Sequence, residues 1–229
     1  MSKWMSIEEM PIEMRPREKL LSLGPGALTD TELLALLLRT GTKGKNVFEM
    51  SQELLDHFKG FAGLLHANAQ ELAFCKGMGG TAKRTQLIAV VEIARRALTQ
   101  QLEETAVMNS PATVKQYLQL ELGQLKHEVF AVLFLDAHNH LLTYQPMFRG
   151  SLTQTMVYPR EVARAALTLG ADGVVLAHNH PSGKVKPSQA DIKLTQALKE
   201  TLALIDVTVR DHIIVSQGKY LSMAEEGLL

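Results

Sequence analysis

Seven consecutive apolar residues, Val129-Phe-Ala-Val-Leu-Phe-Leu135, constrain this chain more than any other feature. A strand wetted on one face alternates apolar with polar residues, so an unbroken run marks a strand buried on both faces. Gly173-Val-Val-Leu-Ala177 repeats the pattern. Such strands need helices on both sides, and the neighbouring segments supply them. Ser110-Pro111 opens a helix, with serine as cap and proline at the first helical position. Pro159-Arg-Glu-Val-Ala-Arg-Ala-Ala-Leu starts another that ends near Gly170, and a third is predicted from about Gln189 to Leu204. Further strands are expected over Leu141–Phe148, near Val207–Val209 and Ile213–Val215, and at Tyr220-Leu221. The stretch 107–229 therefore reads as a mixed α/β domain of ~120 residues in three layers, a mixed sheet with flanking helices.

The first half has a different rhythm. From Arg17 to about Leu98 apolar residues recur at helical spacing and β-branched runs are scarce. Helices are predicted around Leu33–Leu38 (capped by Thr29 or Asp30), over Val47–Phe58, in one short piece including Leu64, Leu65 and Leu72, and in a long piece carrying Leu87 to Ala94. Residues 100–109 lose the pattern and read as a linker. Two domains follow, an all-α one over 1–105 and the α/β one over 107–229. That division suits the usual domain size of ~100–150 residues.

Composition excludes several classes. Lys plus Arg and Asp plus Glu both number 24, so no excess of charge names a nucleic-acid or membrane partner. The single cysteine, Cys75, rules out internal disulfides and Cys-rich zinc sites, and fits a reducing cytoplasm. The run Leu33–Leu38 is far shorter than the ~20 residues needed to span a bilayer, and Met1–Met10 has no apolar core of leader length. The expectation is a soluble cytoplasmic protein without a membrane partner.

The chemistry concentrates in His178-Asn-His-Pro-Ser-Gly-Lys-Val-Lys-Pro-Ser-Gln-Ala-Asp191. His178 and His180 stand two apart at the C-terminal end of an apolar strand, and extended backbone points both imidazoles to one side. Asp191 follows at the start of the next helix, within reach of a folded-back loop. Two imidazoles and a carboxylate suit zinc and leave a fourth position open, the catalytic pattern. Ser188-Gln-Ala-Asp191 also reads as a helix cap that needs no metal. The two readings are compatible. Glu128 heads the buried strand on the face of Phe130, Val132 and Phe134. There it either neighbours the metal's water or marks a solvated strand end. His138-Asn139-His140 copies the histidine spacing but sits in a turn with no matching aspartate, and reads as solvated.

Glu128, His178-Asn179-His180-Pro181 and Ser188-Gln189-Ala190-Asp191 together resemble the JAMM (MPN+) metallopeptidases. The wording His-Asn-His-Pro-Ser-Gly, with Gly150, Pro159-Arg160-Glu161 and Asp211-His212-Ile213-Ile214, resembles the bacterial RadC-type branch, the UPF0758 group. The resemblance implies an MPN/JAMM-like domain with Zn2+ on His178, His180 and Asp191. It implies further that Glu128 is the general base and that Ser188 donates to the oxyanion. Hydrolysis of a peptide or isopeptide-linked protein substrate would follow. Glu161 reads instead as a helix first-turn acid, and His212 as a packed or outer-shell residue. A zinc nucleobase deaminase would need a Cys-x-x-Cys pair that is absent.

In the first half, Lys76-Gly-Met-Gly-Gly-Thr-Ala-Lys-Arg84 resembles a helix-hairpin-helix turn at about 76–84. Gly77 and Gly79 permit positive φ, and a phosphate could meet the following helix start beside Lys76, Lys83 and Arg84. With the RadC-type resemblance, this implies as the alternative function a DNA-associated repair or recombination accessory protein binding DNA through that hairpin. Plain structural corners have the same appearance.

Overall fold

The computed structural model describes residues 7, 9–150, 156–216 and 218–229, so most of Met1–Met10, read above for a leader, lies outside the described residues. The chain falls into two compact units, Met1–Ile93 and Ala94–Leu229.

The first unit is helical: α1 (Pro16–Leu23), α2 (Asp30–Leu38), α3 (Val47–Phe58), α4 (Phe61–Leu65), α5 (Ala69–Phe74) and the start of α6 (Thr81–Glu104). Three of these helices start in reciprocal capping boxes, Thr29 with Glu32, Asn46 with Glu49, and Asn68 with Glu71. In each, the cap side chain satisfies an amide of the first turn and the glutamate returns to the cap amide. The expected single helix through Leu64 and Leu72 is two helices, because Asn68 starts α5 afresh. The core gathers Leu34, Leu38, Phe48, Met50, Leu54, Leu72, Met78 and Leu87. Between α5 and α6, Gly77 has φ +88°, and a Cβ there would meet Met50 Sδ at 2.6 Å. Gly79, which could also adopt positive φ, does not do so.

In the second unit α6 continues to Glu104, so the expected linker is helical over its first half. The reason is burial: Leu102 is fully covered in the second core, with Leu98 beside it. Then come α7 (Pro111–Leu122), β1 (Val129–Leu135), β2 (Leu141–Arg149), α8 (Pro159–Leu169), β3 (Gly173–Asn179), α9 (Gln189–Ala203), β4 (Thr208–Ser216) and β5 (Lys219–Ser222). Pro111 is at the first helical position, but Ser110 makes no side-chain cap bond. The two short strands expected near 207–215 are one strand, β4.

The sheet order is β2-β1-β3-β4-β5. Only β3 and β4 run parallel, and α9 connects them. Every residue of β1 and of β3 is buried. Alternation sends Val129, Ala131, Leu133, Val175 and Ala177 to a core shared with α7. It sends Phe130, Val132, Phe134, Val174 and Leu176 to a core shared with α8 and α9. This is the three-layer arrangement that two unbroken apolar runs require.

Candidate metal centre

β3 ends in His178 and Asn179, and α9 begins at Gln189 beside it. Two residues apart on a strand, His178 and His180 share a face; the loop then returns so that the first turn of α9 brings Asp191 to them. His178 Nε2 lies 3.0 Å from His180 Nε2 and 3.3 Å from Asp191 Oδ1, and His180 Nε2 lies 3.6 Å from Asp191 Oδ2. The three ligand atoms fall within 4.8 Å of one another. With metal–ligand bonds of ~2.0–2.1 Å, the edges of a tetrahedron are roughly 3.3 Å long. The spacing fits such an ion.

The outer hydrogen bonds decide which way each ring is protonated. His180 Nδ1 faces the Lys184 carbonyl oxygen at 2.8 Å. A carbonyl only accepts, so Nδ1 carries the hydrogen and Nε2 the lone pair. The same logic runs along a longer chain from the other histidine. Thr195 Oγ1 donates to the Asp191 carbonyl at 2.6 Å, and must therefore accept from His212 Nδ1, also at 2.6 Å. His212 Nε2 then accepts from His178 Nδ1 at 2.8 Å. His178 Nε2 is left with a lone pair. With both rings neutral, two lone pairs and a carboxylate thus converge on one point with no donor among them. Either a proton on His180 Nε2 or a cation shared by all three relieves the repulsion. The donor set fits a zinc ion with outer-shell partners that orient its ligands.

The electrostatics agree. Burial pushes His178 down to about 4 against the opposing pull of Asp191, and holds His212 well below the ordinary imidazole range. Both are neutral at pH 7. His180 moves up because its protonated form can donate to the Asp191 carboxylate. Burial resists ionisation of Asp191, but a hydrogen bond from His180 when that ring is protonated, the His178 imidazolium at acid pH, and bonds from Ser188 hold its carboxyl well below the usual range. Phe130 stacks on His178 with ring centroids 6.3 Å apart and meets His212 edge-on, fixing both rings from the sheet side.

Asp191 also closes a capping box: its Oδ2 accepts from Ser188 N at 2.7 Å while Ser188 Oγ accepts from Asp191 N at 3.1 Å. The cap and the ligand readings therefore coexist in one side chain. Ser188 is exposed, and its hydroxyl hydrogen is not consumed by that bond. Glu128 immediately precedes β1, half-buried. Phe130 pairs with His178 at the end of the β1–β3 ladder, so Glu128 lies two residues before the last paired position. Its charge is among those that raise His180.

Two other sequence candidates fall elsewhere, and a third stands behind His178. His138-Asn139-His140 is a turn closed on Asp136, whose Oδ1 accepts from both histidine amides. Glu161 pairs with Arg160 and Arg164 in the first turn of α8. His212, read as a packed or outer-shell residue, is fully buried in β4 with its Nε2 2.8 Å from His178 Nδ1. Thr195 was missed in the sequence, although it lies four residues after Asp191 on the same helix face.

Comparison with known proteins agrees with this architecture. Residues 108–228 match the RadC-like JAB domain, and residues 7–85 match the UPF0758 N-terminal family. The chain is 59% identical over 225 residues to a UPF0758 protein of Variovorax paradoxus, covering 98% of this chain and all of that one. It is 59% identical over 235 residues, with the same coverage, to a UPF0758 protein of Albidiferax ferrireducens. This chain belongs to the UPF0758 family. Its C-terminal unit is accordingly a RadC-like JAB domain, as the motif implied, and a helical N-terminal region precedes it. No helix among the described residues is long and apolar enough to cross a membrane.

Proposed function

We propose that this UPF0758 member is a zinc-dependent hydrolase of amide bonds, a metallopeptidase or isopeptidase. The observation that carries the reading is the convergence of three acceptors, His178 Nε2, His180 Nε2 and the Asp191 carboxylate, on one point. Zinc held there would polarise a water and lower its pKa towards ~7. Glu128, just ahead of β1, takes a proton from the attacking water and returns it to the leaving nitrogen, so that water and amide become acid and amine. The Ser188 hydroxyl donates to the oxygen of the tetrahedral intermediate. Thr195 and His212 keep His178 in the tautomer that presents Nε2. A peptide or isopeptide-linked protein is the substrate class. Incubating the zinc-loaded chain with mixed peptides and isopeptide-linked protein conjugates tests this. Cleavage should fall about 10²- to 10⁴-fold in Glu128→Gln, with zinc content retained; equal cleavage by that variant would refute the assignment.

A second reading, DNA contact through the turn at 76–84, rests on Lys76, which is exposed, and on Arg84. Lys83 adds little to it, because its ammonium donates to the Gly41 carbonyl at 2.8 Å. Arg84 also bonds the carbonyls of Ala69, Gly79 and Gly80. The informative variant is Lys76→Ala, which disturbs none of these bonds. A lower DNA affinity with a shallower salt dependence supports the reading, and an unchanged affinity removes it.

A further inference from the structure

The residue between the two histidines points the other way. Strand alternation sends His178 and His180 to the α9 face and Asn179 to the face that carries α7. Asn179 is 1% exposed, and its amide is fully used. Oδ1 accepts from Val129 N at 2.8 Å; Nδ2 donates to Leu125 O at 3.2 Å and to His127 O at 3.0 Å. Two of these partners are carbonyls and one is an N–H, so the amide can be oriented only one way. The three bonds bracket a five-residue segment of backbone, and Glu128 lies inside it.

The neighbouring ladder explains why a side chain is needed. The pairing of β1 with β3 starts at Phe130 and His178. Beyond that point Asn179 substitutes its own carboxamide oxygen for a main-chain acceptor. On the other side, Gly150 N donates to Glu128 O at 2.9 Å. Glu128 is therefore held through its carbonyl by the residue that follows β2, and from β3 through the amide that follows it.

We infer that Asn179 is a positioning residue for Glu128: it couples the strand carrying the two histidines to the segment carrying the base, so that ligands and base move as one piece. A hydrophobic or β-branched residue between the histidines would preserve the strand and both ligands, yet leave the 125–129 segment untied on that side. A buried asparagine that merely closed a strand end would need one bond, and this one makes three. The inference rests on the reading of Glu128 as the base.

The test uses the full chain loaded with Co2+ in place of Zn2+, whose visible spectrum reports the ligand set and its surroundings without any substrate. Metal stoichiometry and the pH midpoint of the spectrum are measured for wild type, Asn179→Ala, Glu128→Gln and the double variant. Asn179→Asp, which matches asparagine in size and keeps the acceptor for Val129 N but loses both donors, replaces Asn179→Ala if the latter does not fold. All variants should bind near one Co2+ per chain. The Asn179 variant should move the midpoint in the same direction as Glu128→Gln. In the Glu128→Gln background it should move it no further, because its effect passes through Glu128. Unchanged midpoints in Asn179 variants, with a clear shift in Glu128→Gln, would overturn the inference and leave the metal reading standing. Shifts that simply add would overturn it too, since Asn179 would then act on the site directly. If wild type binds no Co2+, the metal reading itself falls and the inference falls with it.

Discussion

The two units use the same four-residue device to opposite ends. In the helical unit, Thr29 with Glu32, Asn46 with Glu49 and Asn68 with Glu71 close reciprocal caps. In the α/β unit, Ser188 with Asp191 closes one of the same form. What differs is the company of the carboxylate. Glu32 is met by the Lys19 ammonium at 3.0 and 2.9 Å, so its charge is already answered. Asp191 faces two imidazole nitrogens that outer hydrogen bonds have turned into acceptors. A capping carboxylate can serve as a metal ligand where no side-chain cation already answers its charge. The polar groups buried beside it, His178, Thr195 and His212, are each 2% exposed or less, and they set the α/β unit apart from the predominantly apolar helical core.

The sharpest way to break this comparison is to change the carboxylates without destroying the caps. Asp191→Asn can still accept from Ser188 N, yet should lose more than about 100-fold in zinc affinity, beyond the usual cost of an outer-shell change. Glu71→Gln, the matching change in a helical cap, should leave zinc affinity unaltered. Chelator competition measures both; equal losses would show that Asp191 acts as a cap alone.

The second test is acid, applied to the metal-free chain. His178 and His212 have folded pKa values depressed below the unfolded imidazole value of ~6.5, His178 to about 4. Between those limits the unfolded chain binds more protons, so stability falls as pH falls from ~6.5 towards 4, by roughly 3 kcal/mol from His178 alone. His180 is shifted the other way, and its contribution is constant below ~6.5. Glu32 is lowered by bonds from Thr29 and Lys19 that outweigh its burial, so its contribution is lost only below the ordinary glutamate range. Hydrogen exchange by segment at pH 6.5, 5.5 and 4.5 should therefore find the α/β unit loosening first. Loosening of the helical unit first would contradict the assignment of the buried histidines.

A third, of intermediate size, addresses the hydrogen-bond chain. Thr195→Val keeps the shape but removes both the donor to the Asp191 carbonyl and the acceptor for His212 Nδ1. Zinc affinity should drop about 10- to 100-fold, and Thr195→Ser should restore most of it. If valine costs nothing, the tautomer of His178 is not set through Thr195.

The smallest effect belongs to the helical unit. Gly77→Ala combines positive φ with a close approach to Met50 Sδ and should cost about 1–3 kcal/mol in denaturant unfolding. Gly79→Ala meets nothing within 4 Å and should cost less than about 1 kcal/mol. Equal costs would mean that the turn is not fixed at Gly77.

Much of this was legible in the residues, and the remainder was hidden for physical reasons. β1 and α3 begin and end where the apolar pattern begins and ends, because both are dictated by what they bury. The histidine pair and Asp191 were readable because strand alternation and a helix start are local rules. The break at Asn68 was also written locally, as Asn-x-x-Glu, but the leucines on either side suggested continuity. The single strand β4 was obscured by Arg210-Asp211-His212 at its middle, where His212 is fully buried by virtue of a partner 34 residues away. Asn179 and Thr195 acquire their roles only from strand register and from the docking of α9, which no local pattern records.

Metal content decides the central claim most directly: elemental analysis of purified wild type, Glu128→Gln and Asp191→Ala after equilibration with zinc. Near one zinc per chain is expected in wild type and in Glu128→Gln, with little in Asp191→Ala. No zinc in wild type, or full zinc in Asp191→Ala, would contradict it and return Ser188-x-x-Asp191 to the role its three counterparts have in the helical unit.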